Sequence, residues 1–115
     1  MNETGLSEDV LLQLERVIHS RIADGGSDSY IAELVRIGDD QILKKIGEEA
    51  IELVLAAKSG DKRSICHESA DLVFHMMVLL ARCDVGLEQV LKQLQNRMGV
   101  SGLQEKSLRS TLKSG

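Results

Sequence analysis

The chain contains no proline and no tryptophan, and Tyr30 and Phe74 are its only tyrosine and phenylalanine in 115 residues. An all-β protein of this length draws on aromatic and β-branched residues for its strands and on proline for its turns, so the shortage points to helices. Cysteine is nearly as scarce. Cys66 and Cys83 form neither a disulfide framework nor a Cys-x-x-Cys metal motif, which fits a reducing compartment. Surplus positive charge is missing too: 14 basic residues face 18 acidic ones, for a net charge of −4. That balance excludes nucleic-acid binding through bulk charge. Long hydrophobic runs are absent. The longest uncharged apolar run, residues 72–81, is interrupted by His75 and falls well short of the roughly 20 residues of a membrane span. Residues 1–5 lack the basic-then-apolar pattern of a secretory leader. The expectation is a cytoplasmic protein without a membrane or nucleic-acid partner.

Apolar residues make up 43% of the chain and charged ones 28%, which excludes disorder and fits one small folded domain. A core of Leu, Ile, Val, Ala and Met at this length is only modestly self-sufficient. Self-association, as a homodimer or a higher homo-oligomer, is therefore expected.

Apolar residues recur at helical spacing along most of the sequence. Ser7 is a candidate N-cap, and Val10, Leu11, Leu14, Val17, Ile18 and Ile22 follow as a first stripe. A short second helix is expected over residues 29–37, with Gly38 as its stop. Asp39 or Asp40 would cap a third helix, striped by Ile42, Leu43, Ile46, Ala50, Leu53, Val54 and Ala57. Ser59-Gly60-Asp61 is the turn, with Asp61 capping a fourth helix that is apolar nearly all round over residues 72–81 and so expected to be buried on most sides. Leu87, Val90, Leu91, Leu94 and Met98 mark a fifth. The fold class is all-α: four main helices and a short one, forming a single domain over residues 1–98 with a loosely held tail over 99–115.

Carboxylates carry the chemistry. Glu49 and Glu52 lie three apart on the third helix, and Glu68 and Asp71 lie three apart on the fourth, so each pair projects to one side. Glu49 and Glu52 precede Gly60 by 11 and 8 positions, and Glu68 and Asp71 follow it by 8 and 11. An antiparallel hairpin about that turn sets both pairs at one height. Four facing carboxylates repel unless compensated, and a hard divalent cation such as Mg²⁺ would relieve them while leaving positions open for phosphates. Any one of these residues could instead be a solvated surface charge; Glu48, for example, can pair with Lys44 one turn earlier. As a set, beside the most apolar stretch of the chain, they favour a metal site. Lys44 and Lys45 stand close enough either to pair with the glutamates or to neutralise a polyphosphate. Gly47 inside a helix costs roughly 1 kcal/mol relative to Ala, which suggests close approach of another backbone or a ligand. His75 is either a satisfied core histidine or a hydrogen-bond partner of a metal-binding carboxylate. His19 and His67 give no clear signal.

Lys44-Lys45-Ile46-Gly47-Glu48-Glu49-Ala50-Ile51-Glu52, followed by Glu68-Ser69-Ala70-Asp71-Leu72-Val73-Phe74-His75, resembles the phosphoribosyl-ATP pyrophosphohydrolase family of histidine biosynthesis. This is a branch of the all-α NTP pyrophosphohydrolases, which share a Glu-x-x-Glu pair followed by Glu-x-x-Asp. The resemblance extends over most of residues 10–98, including Ser29-Tyr30. It implies Mg²⁺ ligation by Glu49, Glu52, Glu68 and Asp71, with Glu48 beside them as a further ligand or as the base and Lys44 and Lys45 facing the phosphates; in the reaction this suggests, Glu48 and Glu49 are the candidates for the base. Ile22 and Ile31 depart from the family's usual basic residue and threonine, as does a proline-free loop before Ser29, so that loop is expected to meet substrate differently.

The implied activity is Mg²⁺-dependent hydrolysis of phosphoribosyl-ATP to phosphoribosyl-AMP and pyrophosphate, the second step of histidine biosynthesis. Two alternatives are a housekeeping nucleoside triphosphate pyrophosphohydrolase and a non-catalytic helical interaction module. A ferritin-like di-iron site is excluded, because the residues three before His19, His67 and His75 are Arg16, Ser64 and Leu72 rather than Glu.

Overall fold

The computed structural model describes residues 9–25 and 28–99. Five helices run through the described residues: α1 (Val10–Ala23), α2 (Tyr30–Ile37), α3 (Asp39–Ser59), α4 (Lys62–Arg82) and α5 (Leu87–Met98). The chain divides into two compact units, with the break between Val85 and Gly86. The first holds α1 to α4 and the second holds α5. In α5, Leu87, Val90, Leu91, Leu94 and Met98 fall along one side at helical spacing.

The first unit is organised by the α3–α4 hairpin, with α2 packed on α3 and α1 packed on both α2 and α4. Its core takes one fully buried side chain from each helix: Ile18, Leu34, Ile42 and Val78. Each such burial contributes about 1.5–3 kcal/mol. Gly60 closes α3 in the left-handed conformation at φ 76°, its N–H donating to the Ala56 and Ala57 carbonyls. Without a Cβ, glycine takes that conformation at little steric cost. Asp61 then starts α4, its carboxylate accepting from the Arg63 and Ser64 N–H groups and the Ser64 hydroxyl. These bonds, the Ser64 hydroxyl first, hold the Asp61 carboxyl below its usual range. At the far end of the hairpin, Arg82 Nε donates to Asp39 Oδ1 at 2.8 Å.

Three expectations need correcting. Neither Asp39 nor Asp40 caps α3: Gly38, at φ 122°, is the flanking residue, and both aspartates lie in the first turn, where the helix dipole favours them. A Cβ at Gly47 would meet nothing within 4 Å among the described residues, so of the two expected reasons for it, a backbone or a ligand, no described backbone supplies the first. Nor is α4 buried on most sides: Val73 and Met76 remain exposed. The candidate cap Ser7 and the tail beyond Gly99 lie outside the described residues, and α1 begins beside Asp9, whose side chain makes no capping bond. The helix of α4 runs on past its apolar segment to 21 residues. By length and composition alone it could cross a membrane, but it packs along α3 and carries Glu68 and Asp71 within its span.

Candidate metal and phosphate site

Ser29 sets the start of α2 by accepting from the Ala32 N–H at 3.1 Å. This fixes Tyr30 as the first helical residue, directed at α4. Tyr30, Phe74 and His75 gather there: the Tyr30 and Phe74 rings stack with centroids 6.1 Å apart, and His75 meets both edge-on. The chain's one tyrosine and one phenylalanine thus share one cleft. Its volume is about 370 Å³, and Lys45, Glu49, Asp71 and His75 complete its lining.

His75 is only 5% exposed and Glu49 only 6%. The Nε2 of His75 lies 2.7 Å from the Tyr30 hydroxyl. Its Nδ1 lies 3.0 Å from the Asp71 carbonyl and 2.6 Å from Glu49 Oε1. Two oxygens facing one ring nitrogen favour hydrogen on that nitrogen, since a lone pair there would be repelled by both, and the Tyr30 hydroxyl at Nε2 favours the same tautomer. The hydrogen is aligned with the Asp71 carbonyl, so Glu49 Oε1 is buried with no aligned donor among the described residues. Burial raises the affinity of the Tyr30 hydroxyl for its proton, and the nearby Glu49, Asp71 and Glu33 carboxylates add to this while Lys45 opposes it.

One turn along the hairpin the second pair meets. Glu68 lies within hydrogen-bonding range of Glu52, and that contact is the main cause of its raised pKa, followed by desolvation, the Glu52 charge and, more weakly, Asp71; His67 opposes them. Glu68 Oε2 is also buried without a hydrogen-bond partner among the described residues. His67 Nε2 stands 3.3 Å from Asp71 Oδ2, and His67, Glu68 and Asp71 each bring one ligand atom to within 4.8 Å of the others.

The structure therefore brings Glu49 and Asp71 together at the cleft and Glu52 and Glu68 together beside it. Lys45 joins the cleft wall, while Lys44 and Glu48 are exposed and lie outside its lining. Sequence reasoning missed His67, which its i, i+4 spacing from Asp71 could have flagged. It also missed the contact of Tyr30 with His75, 45 positions away, for which no local signal exists. As a donor set, clustered carboxylates with two buried oxygens that accept no hydrogen bond among the described residues suit a hard divalent cation, and open space beside Lys45 suits an anionic ligand.

A family model described as phosphoribosyl-ATP pyrophosphohydrolase matches residues 11–98. The chain belongs to this family. Among its relatives, the phosphoribosyl-ATP pyrophosphatase of Geotalea daltonii is 44% identical over 104 residues, covering 90% of this chain and 98% of that protein. That of Verminephrobacter eiseniae is 51% identical over 116 residues, covering 95% and 87%. That of Nitrosomonas eutropha is 43% identical over 104 residues, covering 90% and 89%. The match to the phosphoribosyl-ATP pyrophosphohydrolase model takes in both carboxylate pairs, the cleft and α5.

Proposed function

We propose that this chain hydrolyses phosphoribosyl-ATP to phosphoribosyl-AMP and pyrophosphate with Mg²⁺, the second step of histidine biosynthesis, in the cytoplasm. The observation that carries this reading is that Glu49 and Asp71 line one cleft and Glu52 and Glu68 meet beside it across one hairpin, with Glu49 Oε1 and Glu68 Oε2 buried and accepting no hydrogen bond among the described residues. Glu49, Glu52, Glu68 and Asp71 would hold the cation. Bound there, Mg²⁺ supplies positive charge for the polyphosphate and makes a nearby water more acidic.

The protein's own share is positioning and proton transfer. The oxygen of a water attacks phosphorus at the α–β anhydride, and the bond from that phosphorus to the leaving pyrophosphate breaks. A carboxylate takes the water's proton. Glu49 is better placed for this than Glu48, because it lines the cleft while Glu48 is exposed outside it. Lys45, in the cleft wall, holds the phosphates, while Lys44, exposed and outside the lining, adds only longer-range positive charge. His75 supports Glu49 from behind.

The active form is a homodimer. Its support is an exposed apolar face on α3: Leu43, Ile51, Val54 and Leu55 are 50–63% exposed and fall within an arc of about 120°. Gly47 lies inside that arc with open space above it, so a second copy could approach closely there. Val73 and Met76 extend the exposed apolar surface onto α4. Light scattering of Ile51→Glu should show a monomer where the parent chain shows a dimer.

The activity is tested by offering the purified protein phosphoribosyl-ATP beside a panel of nucleoside triphosphates. Turnover should favour phosphoribosyl-ATP. Glu52→Gln and Asp71→Asn should each lose about 100-fold or more with helical content unchanged; parent-like rates in either would refute the site.

A further inference from the structure

We propose that Tyr30 is a positioning residue: its hydroxyl fixes the ring of His75, and through that ring the Glu49 carboxylate, in the orientation that receives the cation. The inference rests on the function proposed above and adds a residue on another helix to its machinery.

The geometry is a chain of three contacts. The Tyr30 hydroxyl lies 2.7 Å from His75 Nε2, and His75 Nδ1 lies 3.0 Å from the Asp71 carbonyl and 2.6 Å from Glu49 Oε1. With hydrogen on Nδ1, the neutral ring has only Nε2 to offer as an acceptor, and the tyrosine hydroxyl is the donor that fills it. Loss of that donor frees the ring to take the other tautomer, in which the Nδ1 lone pair would face two oxygens. Ring rotation or withdrawal would follow, and Glu49 would lose the N–H edge against which its Oε1 rests. Supporting groups of this kind tune ligand orientation at metal sites, and their removal typically costs 10–100-fold in metal affinity or activity. Tyr30 is well placed for the task. It is the first residue of α2, held there by the Ser29 cap, and its ring is braced against Phe74. The hydroxyl is therefore delivered from one helix to the facing walls of two others.

Tyr30→Phe deletes the hydroxyl and keeps the ring stack. His75→Asn keeps a donor at the position of Nδ1 and removes the acceptor for Tyr30. Calorimetric titration with Mg²⁺ alone should show about tenfold weaker binding for Tyr30→Phe, and steady-state kinetics should show a comparable fall in kcat with KM within about twofold. Nitrogen NMR of the His75 ring should show hydrogen on Nδ1 in the parent chain and a mixture of tautomers in Tyr30→Phe. In the His75→Asn background, adding Tyr30→Phe should change neither Mg²⁺ affinity nor kcat, because the residue through which Tyr30 acts is already gone. An unchanged Mg²⁺ affinity and tautomer in Tyr30→Phe would overturn the proposal. So would a full additional loss in the double variant, which would make Tyr30 act independently of His75. If Tyr30→Phe weakens Mg²⁺ binding and shifts the tautomer, yet the parent chain leaves phosphoribosyl-ATP intact, the positioning role stands and the substrate assignment fails.

Discussion

Replacing His75 by leucine tests whether the histidine is structural filler or the support of a buried carboxylate. The two side chains have similar size, so the loss of packing is small. The variant instead removes the N–H edge 2.6 Å from Glu49 Oε1 and the acceptor 2.7 Å from the Tyr30 hydroxyl. Tyr30 is half-exposed and can turn to water at little cost. Glu49, 6% exposed, cannot. Leaving a buried polar group without its neighbouring donor costs about 1–3 kcal/mol, and more when the group is charged. The contact lies off the axis of the His75 hydrogen bond, but the group left behind is a carboxylate, which argues for the upper end, about 3 kcal/mol. For a domain of this size that lowers Tm by on the order of 15 °C. His75→Asn, which keeps the donor, should cost about 1 kcal/mol, the worth of a single neutral hydrogen bond. Urea unfolding followed by circular dichroism, without divalent metal, gives both values at once. If leucine is as stable as the parent chain, or more stable than asparagine, Glu49 does not depend on His75 and the site is built differently.

Three further outcomes follow from the same structure. Ser29→Ala removes the cap on α2 and should cost about 1 kcal/mol in urea unfolding, while lowering activity by loosening the approach of Tyr30. Gly60→Ala places a side chain at φ 76° and should cost about 1 kcal/mol, with hydrogen exchange rising first around the α3–α4 turn. Tyr30 is the sole tyrosine, so its ionisation can be followed alone by tyrosinate absorbance. Its folded-state pKa is raised by burial. Its contribution to stability is therefore complete below the unfolded value near pH 10 and is lost as pH rises through the higher folded value. A titration at or below the ordinary tyrosine value would contradict the packing of Tyr30 against His75.

The α3–α4 hairpin that organises the first unit was legible in the residues. Gly60 between two helical patterns fixed an antiparallel register, and equal counts of 11 and 8 on either side set Glu49 opposite Asp71 and Glu52 opposite Glu68. What escaped was tertiary. The Tyr30–His75 contact joins positions 45 apart on separate helices, and nothing in either local pattern announces it. The helical cost of Gly47 invited either another backbone or a ligand beside it; no described residue comes within 4 Å of a Cβ there, which removes the first reading among the described residues and leaves the second. The aspartates before α3 looked like caps because Asp is favoured there, but Gly38 at φ 122° turns the chain one residue earlier and leaves them inside the first turn. Val73 and Met76 fall in a stretch that is apolar nearly all round, and such a pattern cannot tell which of its sides the rest of the subunit covers; both are exposed.

The most direct measurement is product analysis after the protein is incubated with phosphoribosyl-ATP, with and without Mg²⁺. Cleavage at the α–β anhydride predicts phosphoribosyl-AMP and pyrophosphate in equal amounts, and only when the cation is supplied. Release of orthophosphate, or the same yield in chelator as in Mg²⁺, would contradict a site made of acidic groups from α3 and α4 gathered around a divalent ion.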